Sequence, residues 1–330
     1  MRFVSFAFAA VFAALLASGC SSNGASPSSF TPGAARRSVS SAKTASLYVA
    51  DSDNNSILIF SETANGNVAP TTVIEGTATG LDDPYGVYLG PTGKIYVTSF
   101  GNNSVQVFAA GASGNQKPLQ NIVGEATLLS APIGIGLDSK NDIYVANFNL
   151  NTVNVFKPAA DGNAKPTNVI GGTSTGLLEP AGLAIDSDGR LVVANIEAES
   201  LTVFSKGAKG NASPVQTITG PATDLNSPAG VFTDAKNDIW VGSYQATAAL
   251  EFASDANANA KPKTNISGTK TKLDGPAGIA VDSSGTIIVA NTLSSTITTY
   301  ASGANGNAAP KTTLAGTKTK ISAPHGVWTL

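Results

Sequence analysis

Pro84-Tyr85-Gly86-Val87, Pro132-Ile133-Gly134-Ile135, Pro180-Ala181-Gly182-Leu183, Pro228-Ala229-Gly230-Val231, Pro276-Ala277-Gly278-Ile279 and Pro324-His325-Gly326-Val327 are one phrase written six times. Each proline stands 48 positions after the one before it. Other columns keep the same spacing. Val49, Val97, Val145, Val193, Val241 and Val289 form one; Phe60, Phe108, Phe156, Phe204, Phe252 and Tyr300 form another. Pro70, Pro118, Pro166, Pro214, Pro262 and Pro310 form a third. Units repeated without net insertion make an array, and a period of this length marks a solenoid or a propeller.

One unit suffices to choose between them. From Gly134, Ile135-Gly136-Leu137 reads as a short strand, A, and Asp138 to Asp142 as a turn. The related turns Asp186-Ser187-Asp188-Gly189 and Asp282-Ser283-Ser284-Gly285 put glycine where a left-handed residue fits. Ile143 to Asn147 is strand B, Thr152 to Phe156 strand C and Asn168-Val169-Ile170 strand D. A loop through Gly162-Asn163-Ala164-Lys165-Pro166 joins C to D, and Gly171 to Glu179 leads to the next Pro-x-Gly. No stretch after residue 46 carries a helical period. Four short antiparallel strands, repeated six times, match the blades of an all-β six-bladed β-propeller. Blades stack face to face, which explains why strand B is almost continuously apolar. The Phe60 column then belongs between blades as core.

The ends predict how the ring closes. The first B strand, Leu47-Tyr48-Val49, has no Pro-x-Gly strand before it, whereas Val327-Trp328-Thr329 is an A strand with no B strand after it. Joined, they complete the first blade and hide strand edges that would otherwise invite association. Residues 46–330 therefore read as one closed domain. The run Pro180 to Asn195, with its Pro-x-Gly, Asp-x-x-Gly and Ala-Asn elements, resembles NHL-repeat six-bladed propellers. The resemblance implies the fold and no single function, because such propellers include scaffolds, RNA binders, lyases and lactonases. A formal net charge of -2 argues against a nucleic-acid partner.

The N-terminus is organised differently. Arg2 precedes an almost wholly apolar run from Phe3 to Ala17, too short and wrongly flanked to span a membrane. Leu16-Ala17-Ser18-Gly19-Cys20 resembles the lipobox of bacterial lipoproteins. That likeness implies a signal peptide over 1–19, cleavage before Cys20 and a lipid on Cys20, although Ala17 stands where leucine is commoner. Ser21 resembles the outer-membrane sorting pattern of Gram-negative lipoproteins. Residues 20–45, rich in Ser, Gly and Pro, read as a flexible tether. Cys20 is the single cysteine, so an intrachain disulfide and a CxxC motif are both excluded. The expected location is the bacterial cell envelope, lipid-anchored and extracytoplasmic, and the outer membrane in a Gram-negative host.

In such a blade the B–C and D–A loops share one face, the top. Two sets of positions there vary while the framework is fixed, as binding positions in repeat proteins do. One is the x of Pro-x-Gly; the other follows strand B. They supply Tyr85, Phe100, Phe148, Tyr244 and His325 as candidate ligand contacts. A third set, Asp51, Ser99, Asn147, Asn195, Ser243 and Asn291, ends strand B. These short polar side chains suit turns that bond nearby backbone. Alternatively Asp51, Asn147, Asn195 and Asn291 converge on a Ca²⁺ ion. That reading resembles calcium-dependent lactonases of the gluconolactonase type, although only Asp51 of the set is acidic. His325 is the single histidine, so a histidine-rich metal site is excluded, and no G-x-S-x-G elbow is present. Acidic residues from Asp51 to Asp224 and lysines 270, 272, 318 and 320 suggest a top face acidic on one side and basic on the other.

The reading adopted is a monomeric, lipid-anchored, non-catalytic module that binds a protein, peptide or glycan through its top face without a cofactor. An extracytoplasmic Ca²⁺-dependent hydrolase and a structural spacer are the alternatives.

Overall fold

In the computed structural model, residues 46–329 are described. The proposed signal peptide, Cys20 and the tether lie outside them. The described residues form six four-stranded antiparallel sheets, each one blade, with four short 3-10 turns as the only helical elements among them. The fold is a six-bladed β-propeller. The inner A strands are Pro84–Leu89, Pro132–Leu137, Pro180–Ile185, Pro228–Thr233, Pro276–Val281 and Pro324–Trp328. The last of these pairs with the first B strand, Ser46–Asp51, matching Tyr48 with Trp328 and Val49 with Val327. The first blade is thus built from both ends of the domain, as the sequence predicts.

The Pro-x-Gly phrase has a packing cause. A Cβ on Gly134 would stand 2.4 Å from the Ala181 carbonyl oxygen of the next blade. A Cβ on Gly326 would stand 2.4 Å from the carbonyl of Tyr85, which carries the contact across the closure. Only glycine permits neighbouring inner strands to approach so closely. Further out, the aromatic column is fully buried between blades. Tyr300, its one polar member, donates its hydroxyl to the Thr271 carbonyl at 2.6 Å.

A second repeated device locks each blade to the next. The asparagine of each C–D loop accepts a backbone N–H from the neighbouring D–A loop, as in Asn163 Oδ1 with Ala126 at 2.7 Å. At the closure Asn67 Oδ1 takes the Lys318 N–H at 2.7 Å, joining residues 251 positions apart. The A–B turns are as expected: Asp138 Oδ1 accepts the N–H groups of Lys140 and Asp142, and Gly189 and Gly285 have φ of 82° and 83°.

Candidate functional site

The top-face side chains are placed by a turn repeated in every blade. The residue before each proline is left-handed: Asp83, Ala131, Glu179, Ser227 and Ala323 have φ of 50–53°, and Gly275 has 60°. This twist turns its carbonyl toward the end of strand B, where it accepts the N–H of the next residue. The bonds are Phe100 to Asp83 at 2.9 Å, and Phe148 to Ala131, Ile196 to Glu179 and Tyr244 to Ser227 at 3.1 Å each. Both variable positions are therefore fixed by one local structure.

The set ending strand B performs the neighbouring task. Asp51, Ser99, Asn147, Asn195, Ser243 and Asn291 are all fully buried. Asn147 Oδ1 accepts the Ser130 N–H at 3.2 Å, Asn195 that of Leu178 at 3.3 Å and Asn291 that of Asp274 at 3.2 Å. Asp51 Oδ2 accepts the Ser322 N–H at 2.5 Å. Asp51, Asn147, Asn195 and Asn291 thus sit in four separate blades, each bonded to its own incoming loop, and none lines the central cavity. Burial pushes the Asp51 carboxyl up to about 6, against the lowering effect of N–H groups from Ser322 and Asn54.

The central cavity has a volume of about 400 Å³. Each blade supplies three successive residues of its A strand to the wall. Uppermost are Tyr85, Ile133, Ala181, Ala229, Ala277 and His325; then the six glycines; then Val87, Ile135, Leu183, Val231, Ile279 and Val327. Ile196, Ser227, Tyr244 and Gln245 add to it from the loops, and Phe232 and Trp328 from below. No Asp, Glu, Lys or Arg lines it.

Large polar rings stand on one side. Tyr85 stacks with His325 at 3.8 Å between centroids and 17° between planes, and with Phe100 at 4.9 Å and 26°. Burial pushes the His325 imidazole down to about 4, with Asp53 opposing. His325 is therefore neutral at neutral pH and offers one donor and one acceptor. Burial pushes the Tyr85 hydroxyl up to about 12, with Asp83, Tyr244 and Asp53 adding to the effect. The Tyr244 hydroxyl is raised as well, by burial and by Asp274.

Of the five candidate contacts, Tyr85, Tyr244 and His325 share the cavity, and Phe100 supports Tyr85 without lining it. Phe148 opens the 3-10 turn Phe148–Leu150 and does not reach the wall. Sequence reasoning passes over Ser227 and Gln245, which are not aromatic, and over Phe232 and Trp328 in the inner strand. The size differences within the column Tyr88, Gly136, Ala184, Phe232, Ala280 and Trp328 are the available signal.

A second cavity of about 790 Å³ opens at the other end of the axis, against Tyr88, Phe232, Trp240 and Trp328. Near it Asp234, Asp238 and Glu251 bring carboxylate oxygens within 4.8 Å of one another. Lys263 Nζ already occupies that group, 2.5 Å from Asp238 and 3.1 Å from Glu251.

No family model matches the chain, and no curated protein does. Solved structures do. A chain of a nidogen–laminin complex is 13% identical with a TM-score of 0.63, covering 86% of this chain and 98% of that one. A protein of unknown function from Bacteroides caccae is 10% identical with a TM-score of 0.61, covering 87% and 99%. A streptogramin B lyase is 13% identical with a TM-score of 0.56, covering 87% of each chain. At such identities the likeness establishes the architecture alone: this chain is similar to six-bladed propellers that differ widely in what they do.

Proposed function

We propose that the protein is a non-catalytic recognition module that holds an apolar or aromatic group of its partner in the top cavity. The observation that carries this reading is the uncharged cavity itself, walled by the Tyr85–His325 stack and Tyr244 over six aliphatic side chains. Its volume suits a small ligand or one anchoring side chain. Tyrosines supply contact area at little entropic cost. A neutral imidazole and two phenols supply hydrogen bonds that orient a guest without chemistry. The reading includes a lipid on Cys20 and a tether over 20–45 that would hold the domain at an envelope membrane. The experiment is ligand-observed NMR with indole and benzyl alcohol against the wild-type domain and Tyr85→Ala. Binding weakened at least tenfold by Tyr85→Ala, with the fragments chemically unchanged, is the expected result. Equal binding by both proteins would refute the site.

The reading of a calcium-dependent hydrolase has weaker support. Its four candidate ligands each serve a backbone N–H, and a streptogramin B lyase shares only the fold. Unchanged melting on adding excess EDTA is expected, whereas a calcium-dependent rise would revive it.

A further inference from the structure

We propose that the top cavity selects organic cations, an ammonium or guanidinium group carried on an apolar or aromatic body. The inference rests on the recognition reading above and adds the charge of the guest. It comes from how charged residues are sorted along the top loops. A D–A loop runs from the outer strand of one blade to the inner strand of the next, so its last residues lie nearest the axis. The two residues before each proline, together with the second residue after strand B, therefore surround the cavity mouth. In the six blades these positions hold Asp53, Asp82, Asp83, Glu179, Glu197 and Asp274, and not one lysine or arginine. Lys270, Lys272, Lys318 and Lys320 occur earlier in their loops, toward the rim, and Lys320 is paired there with Glu75 at 3.1 Å. The charged residues at the mouth are thus all acidic, whereas the outer loop positions carry both signs, with Glu75, Glu125 and Asp224 as well as the four lysines.

None of the six mouth carboxylates takes part in an ion pair among the described residues. Their neighbours inside the cavity feel them. Asp53 and Asp83 act on Tyr85, Asp53 acts on His325, and Asp274 acts on Tyr244. Asp83 is itself held above the usual carboxylate range, first by burial and then by Asp82 and Asp53. A cation at the mouth would meet unneutralised carboxylates on one side and the Tyr244 ring on the other, the Tyr85 ring being stacked with His325 and Phe100. An anion would meet repulsion, and the neutral His325 offers it no charge. The apolar tiers below accept the body that carries the charge.

Three probes of similar shape test this: phenethylamine, 2-phenylethanol and 3-phenylpropanoate, titrated into the folded domain by NMR at pH 7.5. The expected order is amine, then alcohol, then carboxylate, with about tenfold between neighbours at low salt. The amine's advantage should shrink in 1 M NaCl. The double variant Asp53→Asn, Asp83→Asn should bring the amine close to the alcohol, measured as the ratio of the two affinities within the same variant. Tyr85→Ala should weaken all three. Equal affinity for the three probes, or tightest binding of the carboxylate, overturns the charge selection and leaves the cavity reading standing. Binding of none of the three overturns both.

Discussion

Replacing Asp51 by asparagine should stabilise this protein above pH 6, although it removes a buried group with two hydrogen-bond donors. Asp51 is fully buried, and burial lifts its carboxyl from an ordinary 3.8 to about 6. At 1.36 kcal/mol per pH unit, keeping it ionised at pH 8 costs about 3 kcal/mol relative to the unfolded chain. Three of its five counterparts are already asparagines, and each donates Nδ2 to the hydroxyl that starts strand C. The partners are Thr152 at 3.1 Å, Ser200 at 3.4 Å and Thr296 at 3.3 Å. In the first blade that hydroxyl is Ser56 Oγ, which is buried without a partner. The introduced amide would supply the donor and still accept the Ser322 N–H. The bond from Asn54 Nδ2 to Asp51 would be lost, about 1 kcal/mol, while Asn54 keeps the Lys320 carbonyl at 3.0 Å. The net expectation at pH 8 is about 2 kcal/mol, a rise in Tm of about 3 °C. Between pH 3.8 and about 6 the folded chain holds a proton that the unfolded chain has released. Asp51's contribution to stability therefore falls as pH rises through that window. The advantage of Asp51→Asn should be small at pH 4 and complete at pH 8. Urea unfolding of both proteins at the two pH values is the assay. A variant less stable at pH 8, or equally improved at both pH values, would refute the reasoning.

Removing residues 324–330 takes away the inner strand of the first blade, including buried Val327 and the ring of Trp328 against Tyr88. That is worth about 4–5 kcal/mol before lost ladder hydrogen bonds are counted, so the truncated protein should aggregate or melt far lower. Removing residues 21–45 should leave the Tm unchanged, and equal melting of both truncations would contradict closure. Gly134→Ala should cost about 3 kcal/mol or more, because its Cβ meets backbone at 2.4 and 2.8 Å. Gly66→Ala, with nothing within 4 Å but a φ of 74°, should cost only about 1 kcal/mol in the same melt. Cys20→Ala should move the protein from the membrane to the soluble fraction, and full retention with membranes would exclude the anchor.

Architecture is legible in the sequence because repetition makes each packing rule visible six times. Six glycines in register report the contact between inner strands, and an A strand lacking at the start of the repeats with a spare one at their end reports closure. The site is legible only in part. Tyr85, Tyr244 and His325 stand out as large polar rings in columns otherwise held mainly by small or aliphatic residues. Phe148 has the same appearance in sequence, yet its backbone enters a 3-10 turn and its ring stays off the wall. The Asp51 column looks like either a set of ligands or a set of caps, and composition alone does not separate them. The structure adds direction, since Asp51, Asn147, Asn195 and Asn291 each turn an oxygen toward a backbone N–H of the incoming loop. The acidic mouth is hidden from a comparison within any one column, because its residues come from three different columns.

His325 is the only histidine, so its imidazole gives one side-chain resonance that is free of overlap. Following its Hε1 proton by NMR against pH tests the Tyr85–His325 wall most directly. The expected titration has a midpoint near 4, with the signal displaced by the stacked Tyr85 ring and moved again when phenethylamine is added. A midpoint near the ordinary 6.5, with no ring-current displacement and no response to the amine, would contradict both the stacked wall and the site built on it.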